Sequence, residues 1–388
     1  MTSDRWMGVG HSTLPDARAA AVEAATAAVA GRDAALLLVY AAITFDAAEL
    51  SAGIAAAAPG VPVVGCSTHG EIGPDGSRDG SVLVTALGGP GLRVATAASD
   101  KVNGRQREAG VEVAACVAEV GDHPHRVLVL LTDGLARDQE TILRGAYSVA
   151  GSQVPLFGGA AGDGWRMSGT FQLHGTSVFT NGVVAACLAS DAPMGIGIRH
   201  GWHPVGEPMI VTESADGRVH GLDDEPALDV YLRRIDAPAH LTEDPPELSR
   251  FVLSRPLGVQ RRSGLEVRNM STEIDVTGRS IGGGGNLPLG GLTWAMVGDE
   301  ESVLDASEEA CRDAVSTLGG RPAIGLLTFS CAACRAVLGD GGIAREHARL
   351  SEVSAGVPFA GFYTYGEIAR TRGIDGFHNQ TMVVLALS

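Results

Sequence analysis

Apolar runs of strand length recur along this chain, separated by stretches of helical composition and by Gly and Pro turn signals. The first set opens with ALLLVY at residues 35–40, passes through DAAELSAGIAAAAPG with its Pro-Gly stop, and reaches VPVVGCSTHGEI at 61–72. After a turn come GSVLVTALGG and LRVATAASD, and a second helix is expected over 106–120. The next set is RVLVLLTDG, the helix DQETILRGAYSVAGSQ, VPLFGGAAGDG, and the strands GTFQLHG and SVFTNGVVAACLA. The last is AIGLLTFSC, the helix-like REHARLSEVSAG, VPFAGFYTYGEI at 357–368 and NQTMVVLALS. All three share the phrase strand, helix, V-P-x-x-G, strand. That order favours a right-handed parallel crossover followed by an antiparallel hairpin strand. It predicts a mixed α/β fold of duplicated β-α-β-β units, with helices covering mixed sheets in two modules.

Between the second and third sets, residues 193–223 alternate polar and apolar and read as antiparallel hairpins. EPALDVYLRRI reads as a helix, with Glu225 and Asp229 early and Arg233 and Arg234 late, as the macrodipole favours. DAPAHLTEDPPELSR reads as a Pro-rich surface connection. The boundary between modules is expected near Asp224, dividing the chain into 1–224 and 225–388.

Composition narrows the partners. A length of 388 residues with 45% hydrophobic content is ample for a large core. The net charge of −16 disfavours nucleic acid and anionic membrane, since either would be repelled at long range. A small ligand or a protein partner is expected instead. No run of eighteen apolar residues and no leader-like start is visible, so a cytoplasmic protein is expected. The six cysteines are scattered in apolar contexts and read as reduced thiols.

PVVGCSTHGEI at 62–72 returns as PFAGFYTYGEI at 358–368. Its glycines permit close backbone approach or positive φ. Between them lie Cys66, Ser67 and Thr68 in one copy and Tyr363, Thr364 and Tyr365 in the other, followed by Glu71 or Glu367. These could wall a polar ligand carrying an ammonium group. They could equally form a glycine bulge whose Glu satisfies backbone N–H groups. Arg335 follows an apolar strand and can hold a carboxylate bidentately or pair with Glu367 or Asp340. Asp163 offers a carboxylate or serves a turn. Cys331 and Cys334 form C-x-x-C, but a structural zinc needs four ligands and no second pair is near, so core thiols come first and no metal is expected. FGGAAGDG lacks the P-loop pattern, and SIGGGGNLPLGG reads as a flexible loop or lid. With no HExxH or G-x-S-x-G present, an enzyme is not expected.

The phrases PVVGCSTHGEI, PLFGGAAGDG, LLTFSCAACRAVLG and PFAGFYTYGEI followed by FHNQT together resemble the FIST family, the F-box and intracellular signal transduction proteins. The resemblance spans nearly the whole chain, with a FIST N-terminal module to about Asp224 and a FIST C-terminal module beyond. It implies a sensory module binding small ligands such as amino acids or their derivatives, with no cofactor and with output through a separate partner such as a histidine kinase. Taken with the residue chemistry above, the expected ligand contacts are Cys66, Ser67, Thr68, Glu71, Asp163, Cys331, Arg335, Thr364, Tyr365, Glu367 and Asn379. Two alternatives come with the resemblance. One branch of such proteins binds haem and senses nitric oxide, which needs an axial histidine such as His69, His174, His200, His203 or His378. F-box relatives imply a scaffold without a small ligand. The family's C-x-x-R spacing is not met, because Cys331 and Arg335 are four apart, so Cys331 and Cys334 both stay open as the match. His69 stands where a small residue is expected.

Overall fold

The computed structural model describes residues 5–215, 217–261, 264–270, 273–282, 287–371 and 376–388. The core of the SIGGGGNLPLGG segment lies outside the described residues.

The three units form, each larger than its phrase, but LRVATAASD and the helix after it, read with the first set, belong to the second. In the first, Ala34–Ala42 and Val63–Thr68 are parallel, joined by helix Ala47–Ala57, and Val82–Gly88 runs antiparallel beside Ala34–Ala42. The second repeats this with His125–Thr132, helix Gln139–Ala150, Leu156–Ala160 and Val183–Ser190. The third uses Gly325–Cys331, helix Ala332–Val353, Phe359–Thr364 and Met382–Leu387. Ahead of each unit comes one more strand and helix. These are Trp6–Ser12 with Ala17–Val29, Leu92–Ser99 with Gln106–Ala114, and Met194–Arg199 with Glu300–Ser316. Glycines let the leading helix sit on its strand in two of the repeats. A Cβ at Gly10 would lie 1.9 Å from the Ala24 carbonyl oxygen, and one at Gly197 would lie 1.9 Å from that of Ala310.

The strand after each V-P-x-x-G phrase leaves its own sheet and pairs in another. Glu71–Gly73 of repeat one joins Phe359–Thr364 of repeat three, with Glu71 opposite Phe362. Glu367–Arg370 of repeat three joins Leu156–Ala160 of repeat two, with Glu367 opposite Gly159. Gln172–His174 of repeat two joins Val63–Thr68 of repeat one, with Gln172 opposite Cys66. The exchange closes a cycle, so three six-stranded mixed sheets are locked together. Their inner faces share one core, in which Tyr40 stacks on Phe362 at 4.9 Å and Phe157 on Phe329 at 4.8 Å. Each such fully buried side chain is worth about 1.5 to 3 kcal/mol.

Residues 203–297 are inserted in repeat three, between its first strand and its first helix, and include an antiparallel sheet over a core of its own with Met209, Leu228, Tyr231 and Leu257. The expected hairpin is there as His203–Ala215 with Arg218–Leu222, while Met194–Arg199 instead joins the sheet of repeat three. EPALDVYLRRI forms helix Ala227–Arg234. The Pro-rich connection is a correction, since it holds helix Pro245–Leu253. Asp244 caps that helix by accepting from Glu247 N, and Pro at the first helical turn lacks only an N–H the helix would leave unpaired.

Candidate functional site

The three V-P-x-x-G phrases meet at their carboxyl ends. His69 N–H donates to Tyr363 O (3.0 Å), Tyr365 N–H to Ala160 O (3.0 Å) and Gly162 N–H to Ser67 O (3.1 Å). These backbone bonds join the three repeats in a closed ring, and reciprocal bonds from Tyr363 N–H to Gly70 O, Ala160 N–H to Gly366 O and Ser67 N–H to Phe171 O reinforce it. His69, Gly162 and Tyr365 occupy the same place in the three phrases.

Behind the ring lies a polar staple, also threefold. Glu71 accepts from Thr68 Oγ1, from Ser81 Oγ and from Ser81 N–H (3.2 Å). Glu367 accepts from Thr364 Oγ1, from Thr381 N–H (3.1 Å) and from Thr381 Oγ1 (2.9 Å). In repeat two Gln172 does the same work, accepting from Gly182 N–H (2.9 Å) and donating to Thr170 Oγ1 (2.9 Å). Both glutamates are fully buried. Burial pushes the Glu71 carboxyl up to about 7 against the hydroxyls of Ser81 and Thr68, which favour the charged form, and it pushes Glu367 well up. A neutral amide suffices in one repeat, so the staple does not depend on charge.

A cavity of about 440 Å³ opens between the repeats. Repeat one contributes Ala42, Ile43, Thr68, His69, Gly70 and Asp79; repeat two contributes Asp163, Trp165 and Arg166; repeat three contributes Arg335, Gly339, Asp340 and Ile343. It sits beyond the carboxyl ends of a parallel strand pair, where α/β sheets commonly hold ligands.

Arg335, on the first turn of helix Ala332–Val353, forms the positive wall. It donates two bonds to Asp79, at 2.7 and 2.8 Å, and one to His69 O at 2.5 Å, and lies over the Tyr363 ring at 4.9 Å. Gly70 makes room for it. Its φ is +109°, and a Cβ there would lie 2.5 Å from Arg335 Nη1. The Asp79 side chain is 72% exposed, so the pair is worth only about 0 to 1 kcal/mol and Arg335 stays open to a competing carboxylate. That bond holds the Asp79 carboxyl below its ordinary value. The helix breaks at Gly339, where φ is 60° and ψ −177°, which turns Asp340 to the cavity.

The opposite wall is aromatic. Trp165 lies edge-on to His69 at 4.8 Å and stacks on Tyr365 at 5.3 Å, with its backbone at φ +62°. Asp163 fixes this loop, accepting from Tyr365 Oη (2.6 Å) and from Ser168 N–H (2.7 Å). Burial alone would raise the Asp163 carboxyl, but these bonds bring it below its ordinary value. His69 is held down to about 4 by burial and then by Arg335, and its Nδ1 is buried without a partner. It is therefore neutral at physiological pH.

The expected ligand residues divide. Thr68, Asp163 and Arg335 line the cavity, and Tyr365 backs it through Trp165. Glu71, Thr364 and Glu367 form the staples, and Ser67 Oγ accepts from Phe171 N–H at 3.1 Å. Cys66 lies in the central core, and Cys331 lies buried beside Cys334. Asn379 is buried with Oδ1 unpartnered, away from the cavity lining. Of the five candidate axial histidines only His69 lines the cavity. Asp79, Trp165 and Arg166 were not read from the sequence, because they sit on turns without a motif, and Asp340, read as a possible ion-pair partner of Arg335, lines the cavity while Asp79 takes that pairing. No group of three or more metal-ligating side chains occurs among the described residues. Among those residues no helix is long and apolar enough to cross a membrane.

Fold and cavity together define a mixed α/β protein with a polar site between interlocked repeats. The profile of the FIST N domain matches residues 35–225 and that of the FIST C domain matches 227–370, and the chain belongs to the FIST family, whose domains serve signal transduction. It is similar to two uncharacterized proteins from two strains of Mycobacterium tuberculosis, each 27% identical over 395 residues and covered, like this chain, to 97%.

Proposed function

We propose that this protein is a sensory module that binds a small zwitterion, an amino acid or a derivative, in the 440 Å³ cavity and passes the signal to a separate protein partner without turning the ligand over. The observation that carries this reading is the charge layout of the walls. The one carboxylate paired with Arg335 is the largely exposed Asp79, its other partner being the neutral carbonyl of His69, while Arg166 and Asp340 are exposed on the cavity rim. A ligand carboxylate would replace Asp79 on Arg335 or meet Arg166, forming charge-assisted bonds. Its ammonium group would take the carboxylates of Asp79 and Asp340, and the neutral face of His69 and Trp165 would cover its apolar part. Three repeats contribute to one pocket, so occupancy changes how they are held together, and a partner can read that change.

The test is thermal unfolding of the purified protein against free amino acids, amines and keto acids. At about a hundredfold over its Kd a ligand adds about 2.7 kcal/mol, a shift of several degrees in Tm. A selective shift with zwitterions supports the reading. A panel without any shift refutes it.

A further inference from the structure

We propose that Cys331 and Cys334 are a redox site, a dithiol that closes to a disulfide on contact with a small hydroperoxide. This inference does not depend on the ligand reading.

Strand Gly325–Cys331 ends on Cys331, which is the N-cap of helix Ala332–Val353, and Cys334 lies three residues on, across the first turn. Residues so spaced are neighbours on one face and suit the usual disulfide Cα separation of about 4.4 to 6.8 Å. Both thiols lie in one apolar cluster with Trp202, Met296 and Leu338. The parallel registers put Thr328, Val39 and Leu130 at equivalent points, so the place of Cys331 is taken by Ala42 in repeat one and Asp133 in repeat two. The shared fold therefore does not call for sulfur there.

The two thiols differ in character. Burial alone would raise Cys331, but the Cys334 thiol and the N–H groups of Ala333, Gln380 and Cys334 turn toward it and bring it down. The hydrogen bond to Cys331 and burial push Cys334 up. Cys331 is the attacking sulfur and Cys334 the resolving one.

The Cys331 thiolate attacks the distal oxygen of the hydroperoxide, the O–O bond breaks, and the departing alkoxide or hydroxide takes up the proton that Cys331 gave up, leaving Cys331 as a sulfenic acid. The Cys334 sulfur then attacks the Cys331 sulfur, and the sulfenic oxygen leaves as water with the Cys334 proton. Two thiols are oxidised and one hydroperoxide is reduced to an alcohol, or to water, with one further water released. Cys334 directly precedes Arg335, so the new bond reshapes the turn that carries the cavity's guanidinium.

The experiment treats the reduced full-length protein with hydrogen peroxide and counts thiols after denaturation. The count is expected to fall from six to four, with the 331–334 bond found by peptide mass and the six thiols restored by dithiothreitol. Six surviving thiols, or a bond between other cysteines, would overturn the proposal. In Cys334→Ser, Cys331 is expected to stop as a sulfenic acid trapped by dimedone, and an unlabelled Cys331 would also overturn it.

Discussion

Repeats one and three carry a Thr, an aromatic ring and a Glu in their last phrase, where repeat two carries Ala161, Gly162 and, from its exchanged strand, Gln172. What survives the difference is the backbone ring and the staple, in which Gln172 and Gly182 stand for Glu71 and Ser81. Those shared parts hold the repeats together. What does not survive is the furniture of the cavity, namely His69, Asp79, Trp165, Arg166 and Arg335. The comparison separates structural polarity from functional polarity within one chain.

Breaking the ring where Arg335 crosses it has the largest expected effect. Gly70→Ala forces a Cβ into positive φ and against the guanidinium, and is expected to cost about 2 to 4 kcal/mol in denaturant unfolding. The staple comes next. Glu71→Ala leaves Thr68 and Ser81 without their acceptor and is expected to cost about 1 to 3 kcal/mol, whereas Glu71→Gln, copying repeat two, is expected to cost under about 1 kcal/mol. Equal costs for the two variants would mean that charge matters there after all.

The same pair sharpens the comparison by pH. The Glu71 carboxyl is raised from 4.5 to about 7 in the folded protein, so the native state binds more protons than the unfolded chain across that window. Its contribution to stability is present below about pH 4.5 and is lost as pH rises through about 7. In Glu71→Gln this decline is expected to vanish, leaving a flatter curve of unfolding free energy between those values. The smallest effect belongs to Asp79→Asn, expected to cost under about 1 kcal/mol, because the aspartate is largely exposed. A larger loss would show that the ion pair holds the repeats rather than waiting for a ligand.

The strands and crossover helices of each unit were legible because V-P-x-x-G marks the second parallel strand and long apolar runs mark the buried ones. The exchange was not. A three-residue strand such as Glu71–Gly73 does not encode its partner, which is chosen by the distant Phe359–Thr364 edge. Helix Pro245–Leu253 was read as a connection because its prolines outweighed the Asp244 cap. Arg335 was legible as a strand-end cation, but its partner Asp79 is far off in sequence and lies on an ordinary turn. Glu71 and Glu367 were legible as a repeated pair, and only their burial reveals that the repeat is architectural.

The account rests most directly on the cavity as the place where a zwitterion binds. The measurement is the thermal-shift panel run in parallel on the native protein and on Arg166→Gln with Asp340→Asn, both exposed side chains whose loss leaves ring and staples intact. The account predicts a selective shift of several degrees in the native protein that falls by at least half in the double variant. An equal shift in both proteins, or none in either, would contradict it.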